Sequence, residues 1–194
     1  PPLPLPGGDW RKFGDRAISQ NENLSALQMI DVSFFPRFGV KGAGAAAWLQ
    51  AQGIPVPDRP NTWIDSSEGD RVLRLGLTEF LIEGKSALSL MAACQDPPAK
   101  VYPVLRQDGA FVLRGKGVND LLSQTCSIHF RSLKLTDRPI LLTSMVGVAV
   151  TALPGEEEYR IWSDGTLAPY LKRTLWEVAN ELKDEAVDGM QKHF

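Results

Sequence analysis

The residues of this chain whose spacing comes nearest to a chemical device are two glycine pairs that precede apolar helical patterns. Gly42-x-Gly44 leads into Trp48-Leu49, and Gly115-x-Gly117 leads into Leu121-Leu122. A helix that begins on bare backbone amides is a ready anion site, so each pair is half of a phosphate cradle. A dinucleotide fingerprint needs a third glycine three residues after the second, and an acidic residue about 20 positions on. Ala47 occupies that third position in the first copy. The favoured reading is a strand turning closely into its helix, a geometry that would be duplicated along with its unit.

Other reactive side chains yield little when weighed in the same way. His129 lies three positions after Cys126, which allows a base beside a thiolate, yet no Asp or Asn orienter is identifiable, and a structural or surface histidine is favoured. His193 is the other histidine, so no zinc set can be assembled. Cys94 and Cys126 belong to no CxxC pair and each ends an apolar helical pattern, which reads as buried free thiols in a reducing cytoplasm. Asp31 and Ser33 interrupt a segment otherwise fit for burial. They alternate to a hydrated face or bond local backbone in one reading, and form a ligand or subunit contact in the other. Arg37, Arg74, Glu79 and Glu158 are expected to form surface ion pairs, and Glu156-Glu157-Glu158 a solvated turn.

The elements that must position these residues repeat. The two glycine pairs stand 73 residues apart, each preceded by a strand-like run and a basic residue. Each leads on to a Glu-aromatic-x-Ile segment, Glu79-Phe80-Leu81-Ile82 in one copy and Glu158-Tyr159-Arg160-Ile161 in the other. A doubled strand-helix-strand unit implies an α+β fold with antiparallel or mixed sheets. Strands are expected over 27–35 and 38–40, split by Pro36, with a short edge strand at 61–64 and a polar turn at 65–70. Hairpins are expected from 72–75 with 80–82, and from 101–105 with 111–113. Two further strands are expected at 144–150 and 159–162.

Helices are expected over 45–52, over 86–94 with Ser86 as N-cap, and over 118–124. The last, 167–182, carries Leu167, Leu171, Leu175, Val178, Ala179 and Leu182 at three- and four-residue steps, with Pro169 in its first turn.

The 194 residues fall within the size of one domain. The division expected is an extended arm over 1–25, a single duplicated domain over 26–185 and a tail over 186–194. The arm holds four prolines, and a signal peptide is not expected, for it has no charged n-region. It either dangles or wraps a partner, because Trp10 and Phe13 are costly to leave in water. The 21 basic and 23 acidic side chains are interspersed, so no broad positive field exists for nucleic acid. No run approaches the roughly 20 apolar residues that cross a bilayer, so a soluble protein without membrane partners is expected.

At Met29-Ile30-Asp31-Val32-Ser33, Pro36-Arg37-Phe38-Gly39-Val40-Lys41-Gly42, Ala47-Trp48-Leu49 and Arg74-Leu75-Gly76-x-x-Glu79-Phe80-Leu81-Ile82, the chain resembles the gamma subunits of heterotetrameric sarcosine oxidases. The likeness covers most of residues 26–185. Those subunits are in turn similar to the folate-binding portion of the glycine-cleavage T-protein. The resemblance implies a compact α+β protein with pseudo-twofold repeats, serving as an accessory subunit of a flavoenzyme complex that oxidatively demethylates sarcosine. It implies flavin-bearing and folate-binding partner subunits, with FAD, FMN, NAD and tetrahydrofolate held by the complex and none assigned to this chain. The T-protein's segment with its catalytic aspartate shrinks here to 61–70, and of its Gly-Glu-x-Gly-Tyr-Glu run the chain keeps Gly155, Glu156 and Tyr159. Two alternatives stay open: a stand-alone folate-binding or aminomethyl-transfer module with Asp31, Arg74 and Glu156 as polar contacts, and a subunit of another N-methylamino-acid dehydrogenase.

Overall fold

Apolar residues alternate along the strands of this chain so that each sheet has two buried faces, one toward helices and one toward a second sheet. The computed structural model describes residues 27–156 and 158–191, with 183–191 as backbone alone, so the expected arm over 1–25 lies outside the described residues. Ten strands are present among them: β1 (Gln28–Asp31), β2 (Arg37–Lys41), β3 (Thr62–Asp65), β4 (Arg71–Arg74), β5 (Glu79–Glu83), β6 (Tyr102–Val104), β7 (Gly109–Arg114), β8 (Leu141–Met145), β9 (Val148–Pro154) and β10 (Glu158–Ser163). The α-helices are α1 (Ala45–Ala51), α2 (Ser86–Ala93), α3 (Val118–Thr125) and α4 (Ala168–Gln191).

The strands form two antiparallel five-stranded sheets, β3-β4-β5-β2-β6 and β1-β7-β10-β9-β8. On the first, Phe38, Val40, Phe80 and Ile82 pack with Trp48 and Leu49 of α1 and Ala87 and Leu90 of α2. On the second, Phe111, Leu113, Tyr159 and Ile161 pack with Leu121 and Leu122 of α3 and Leu171 and Leu175 of α4. Between the sheets lies a third core of Val32, Leu73, Leu81, Val112, Leu153 and Trp162. The architecture is therefore helix, sheet, sheet, helix, as the α+β reading of a doubled unit expected.

The duplication is visible down to register. Lys41 pairs with Glu79 and Arg114 with Glu158, so in both sheets the basic residue before the glycine pair faces the glutamate of the Glu-aromatic-x-Ile segment. Gly42 and Gly115 take φ of 118° and 109°, a region open to glycine at little cost. Gly44 and Gly117 both serve as helix N-caps. The glycine pairs are thus the duplicated turn that their spacing suggested.

One exchange was not legible in the sequence. β1, from the first half, adds to the edge of the second sheet beside β7, while β6, from the second half, adds to the edge of the first sheet beside β2. The strands expected to form a hairpin at 101–105 and 111–113 therefore part company, because β6 and β7 belong to different sheets. Pro103 suits β6, since an edge strand can spare its N–H. The strand expected at 144–150 is in fact a hairpin: Met145 pairs with Val148 across Val146 and Gly147, whose φ values are 45° and 83°. Such a two-residue turn needs left-handed backbone, which Val disfavours. Tertiary bonds hold it there, for the Val146 N–H donates to the Thr125 carbonyl at 2.9 Å.

Two helices also depart from expectation. Ser86 does not cap α2; Lys85 is at the N-cap and the cap comes from Asp70, whose carboxylate accepts from the Ser86 N–H at 3.1 Å and from its hydroxyl. Asp70 is 1% exposed, whereas the sequence placed it in a hydrated turn. α4 runs on to Gln191, because strong helix formers continue past Leu182. Leu171, Leu175 and Ala179 are buried as expected, but Leu167 precedes the helix and is 45% exposed.

Candidate functional site

The alternation that buries apolar residues also carries charge into the layer between the sheets. On β5, Phe80 and Ile82 face the helices, so Glu83 faces the other sheet; on β2, Phe38 and Val40 do the same for Arg37. Arg37 and Glu83 are register partners and their side chains, each 3% exposed, form an ion pair at 2.7 Å. The second sheet completes the network. Trp162 donates its indole N–H to Glu83 Oε2 at 2.7 Å, and Arg160 Nη2 meets Glu83 Oε1 at 2.6 Å. Arg37 also donates to the backbone carbonyls of Val32, Ser33 and Asp108. Burial pulls the Arg160 guanidinium below its ordinary pKa, against the opposing pull of Glu83. The arginine expected to sit in a surface ion pair is thus a strut across the molecule.

Next to this network the segment between β6 and β7 lies flat on the fold. Gly39 makes room for it: a Cβ there would stand 2.7 Å from the Val104 carbonyl and 2.8 Å from Arg106 Nε. Arg106 spans from Glu79, at 2.8 Å, toward Asp108, at 3.9 Å. Two further glycines bring the turn after β10 against the same segment, since Cβ atoms would lie 2.3 Å from the Ala168 Cβ at Gly109 and 2.3 Å from the Gln107 carbonyl at Gly165. Asp108 and Asp164 consequently line two adjoining open cavities, of about 590 Å³ and 480 Å³.

The larger cavity is floored by Leu142, Ser144, Ala149 and Thr151 of β8 and β9, with Trp162 and Ser163 along one side. Asp108 Oδ2 is buried without a hydrogen-bond partner among the described residues, and burial pushes its carboxyl above the ordinary value despite Arg106 and Arg37. Asp164 is the converse. Its Oδ1 accepts from the Thr166 N–H and hydroxyl, which hold its pKa below the ordinary value. Among the described residues no Lys or Arg lines either cavity, so the surface they form is acidic with hydroxyl and apolar walls. Sequence reading missed Asp108, which there was only part of a turn; its sole clue was an Arg-Gln-Asp-Gly run between two strand patterns.

The residues singled out from sequence lie elsewhere. Asp31 ends β1, accepts from the Ser33 N–H at 3.0 Å and pairs with Lys172 at 3.3 Å. Burial would raise its pKa, yet Ser33 and Lys172 together lower it. Arg74 ends β4 and donates to the carbonyls of Pro57, Asp58, Gly76 and Leu77. Glu156 is exposed in the turn between β9 and β10. Among the described residues no hydrogen bond or ion pair joins any two of these three. Ser33 has a structural role, accepting from the Ala110 N–H at 2.9 Å across to β7. Cys126 is buried with its Sγ 3.7 Å from the Thr143 hydroxyl, and His129 is exposed, so the imagined thiolate and base do not form a pair. Among the described residues no helix is long and apolar enough to cross a membrane.

No protein-family model matches the chain. In sequence it is 24% identical over 180 residues to sarcosine oxidase subunit gamma of Corynebacterium sp. strain P-1, a match covering 88% of this chain and 89% of that one. In structure it superposes on a chain of the heterotetrameric sarcosine oxidase from Corynebacterium sp. U-96, solved in complex with pyrrole 2-carboxylate. The TM-score is 0.65 at 20% identity, over 86% of this chain and 92% of that chain. The glycine cleavage system aminomethyltransferase T from Bartonella henselae matches at a TM-score of 0.54 and 12% identity, over 78% of this chain and 45% of that one. The resemblance read from the residues is borne out: the chain is similar along most of its length to a sarcosine oxidase gamma subunit and shares that fold, which the T-protein also contains.

Proposed function

We propose that this chain is the accessory, gamma-type subunit of a sarcosine oxidase-like flavoenzyme complex of the cytoplasm. Oxidative N-demethylation of sarcosine belongs to partner chains that carry the flavins and the folate site, with FAD, FMN, NAD and tetrahydrofolate bound there. This chain contributes scaffold and subunit contact. The observation that carries the reading is the reciprocal coverage of the sequence match, 88% of this chain against 89% of the relative, so that whole subunits correspond rather than a shared module. The geometry is in keeping with it. The concave surface at Asp108 offers carboxylates, hydroxyls and exposed leucines, groups suited to holding a partner.

The test is to express the chain alone and together with the proteins encoded beside it. Co-purification with flavin-bearing subunits, and no measurable tetrahydrofolate binding by the isolated chain, is the expected result. Tight tetrahydrofolate binding by the isolated chain would replace this reading with that of a folate module, for which Asp31, Arg74 and Glu156 are the contacts to mutate first. Assembly with flavoprotein partners that oxidise a different N-methylated amino acid would keep the role and change the substrate.

A further inference from the structure

The surface around Asp108 has the form of one half of a charged contact: Arg106 reaches Asp108 only at 3.9 Å, and among the described residues no Lys or Arg lines the open side. Along β9 the face that looks away from the helices passes from Leu153, buried between the sheets, through half-buried Thr151 to exposed Ala149. The first sheet therefore leaves this corner uncovered. Leu142 on the floor is 57% exposed and Leu105, lining the adjoining cavity, is 77% exposed. Between these apolar ends lie the two carboxylates, one of which keeps a buried oxygen with no partner. A buried acceptor left unpaired is destabilising, and more so when it belongs to a charged group. The Arg106 ion pair does not remove that liability, since its Nη1 approaches the other oxygen, Oδ1, only to 3.9 Å.

We infer that this face docks a partner subunit by one lysine or arginine side chain, which enters between Asp108 and Asp164 while apolar residues of the partner cover Leu142 and Leu105. The inference rests on the accessory-subunit reading. Charge complementarity selects the occupant, because among the described residues the lining of both cavities carries acidic groups and no basic ones. A cation bound there would meet the part of the Asp108 side chain that stays exposed and draw down a carboxyl that burial has raised. Apolar groups around a desolvated charge are the arrangement in which a single Arg or Lys dominates an interface. A metal ion is a poorer occupant, for no cluster of three or more His, Cys, Asp or Glu exists among the described residues.

The chain is purified and its association with the flavin-bearing subunits encoded beside it is measured by biolayer interferometry over a salt series. Wild type, Asp108→Asn, Leu142→Lys and the distant surface control Arg131→Ala are compared. Asp108→Asn is expected to weaken association about 10-fold or more and to flatten its salt dependence. Leu142→Lys, at an exposed position that does not test folding, is expected to weaken it at least as much by placing a competing cation on the floor. Arg131→Ala should match wild type. If wild type associates and both Asp108→Asn and Leu142→Lys do so with equal affinity, the docking face is wrong and the accessory reading survives. Absence of association by wild type overturns both. Protection of the isolated chain from heat by free N-methylglycine, lost in Asp108→Asn, would make the surface a small-molecule site and overturn the subunit contact.

Discussion

Glu83, 3% exposed, accepts from Arg37, Arg160 and Trp162, so its removal takes away the carboxylate that both guanidinium groups contact. Breaking a buried pair from one side costs about 3–5 kcal/mol. Glu83→Ala is therefore expected to lower the unfolding free energy by that amount in urea titrations, and Trp162→Phe, which loses one neutral donor, by about 1–2 kcal/mol. Asp108 should behave in the opposite sense. Its folded pKa lies above the ordinary 3.8, so the folded chain binds that proton more tightly than the unfolded one. Stability contributed at this site then falls as pH rises from 3.8 through the raised folded value. Asp108→Asn should be more stable than wild type at neutral pH, with the gap closing below 3.8, as followed by thermal melts across pH. A gap that stays constant or widens in acid would refute this. None of these partners was legible in the sequence, because Arg37, Glu83 and Arg160 are ordinary charged residues on strands until two sheets close over them.

At the level of the element, local chemistry carries further. Gly42 needs φ of 118°, and a Cβ there would lie 2.2 Å from the Lys100 carbonyl, while Gly53, with φ of 80°, has open space around it. Gly42→Ala is expected to cost at least ~2 kcal/mol and Gly53→Ala about 1 kcal/mol, read from denaturant midpoints. Equal costs would show that backbone strain alone, and not the close approach, governs the turn. Asp70 should outweigh the exposed residues around it, since its carboxylate caps α2 and accepts from the Ser66 hydroxyl of the preceding turn at 3.4 Å. Asp70→Ala is expected to cost roughly 2 kcal/mol, against a few tenths of a kcal/mol for Ser89→Ala on the exposed side of the same helix. The strand-to-helix turns and the amphipathic face of α4 were readable because glycine spacing and 3.6-residue periodicity act within a few residues. The true cap of α2 was not, since its donor and acceptor lie 16 residues apart.

For the molecule as a whole the reciprocal exchange of β1 and β6 makes each half depend on the other. Cutting the chain at the 96–98 connection gives one fragment whose first sheet lacks β6 and whose β1 has no sheet, and another with the reverse defect. Each also exposes its side of the core between the sheets. Neither fragment is expected to give a cooperative melt alone, and mixing them should restore native circular dichroism. Independent folding of either fragment would show that the exchange is dispensable. The sequence by itself determined the repeat, the turn at each glycine pair, the class of fold and the apolar face of the last helix, since these follow from dihedral preference and periodicity in short windows. Only the tertiary structure decided which sheet β1, β6 and β7 would join, that Arg37 and Glu83 would be buried, and that Asp108 would face an uncovered acidic corner. Such choices rest on pairings dozens of residues apart, whose free energy appears only when two sheets stack and displace the water between them.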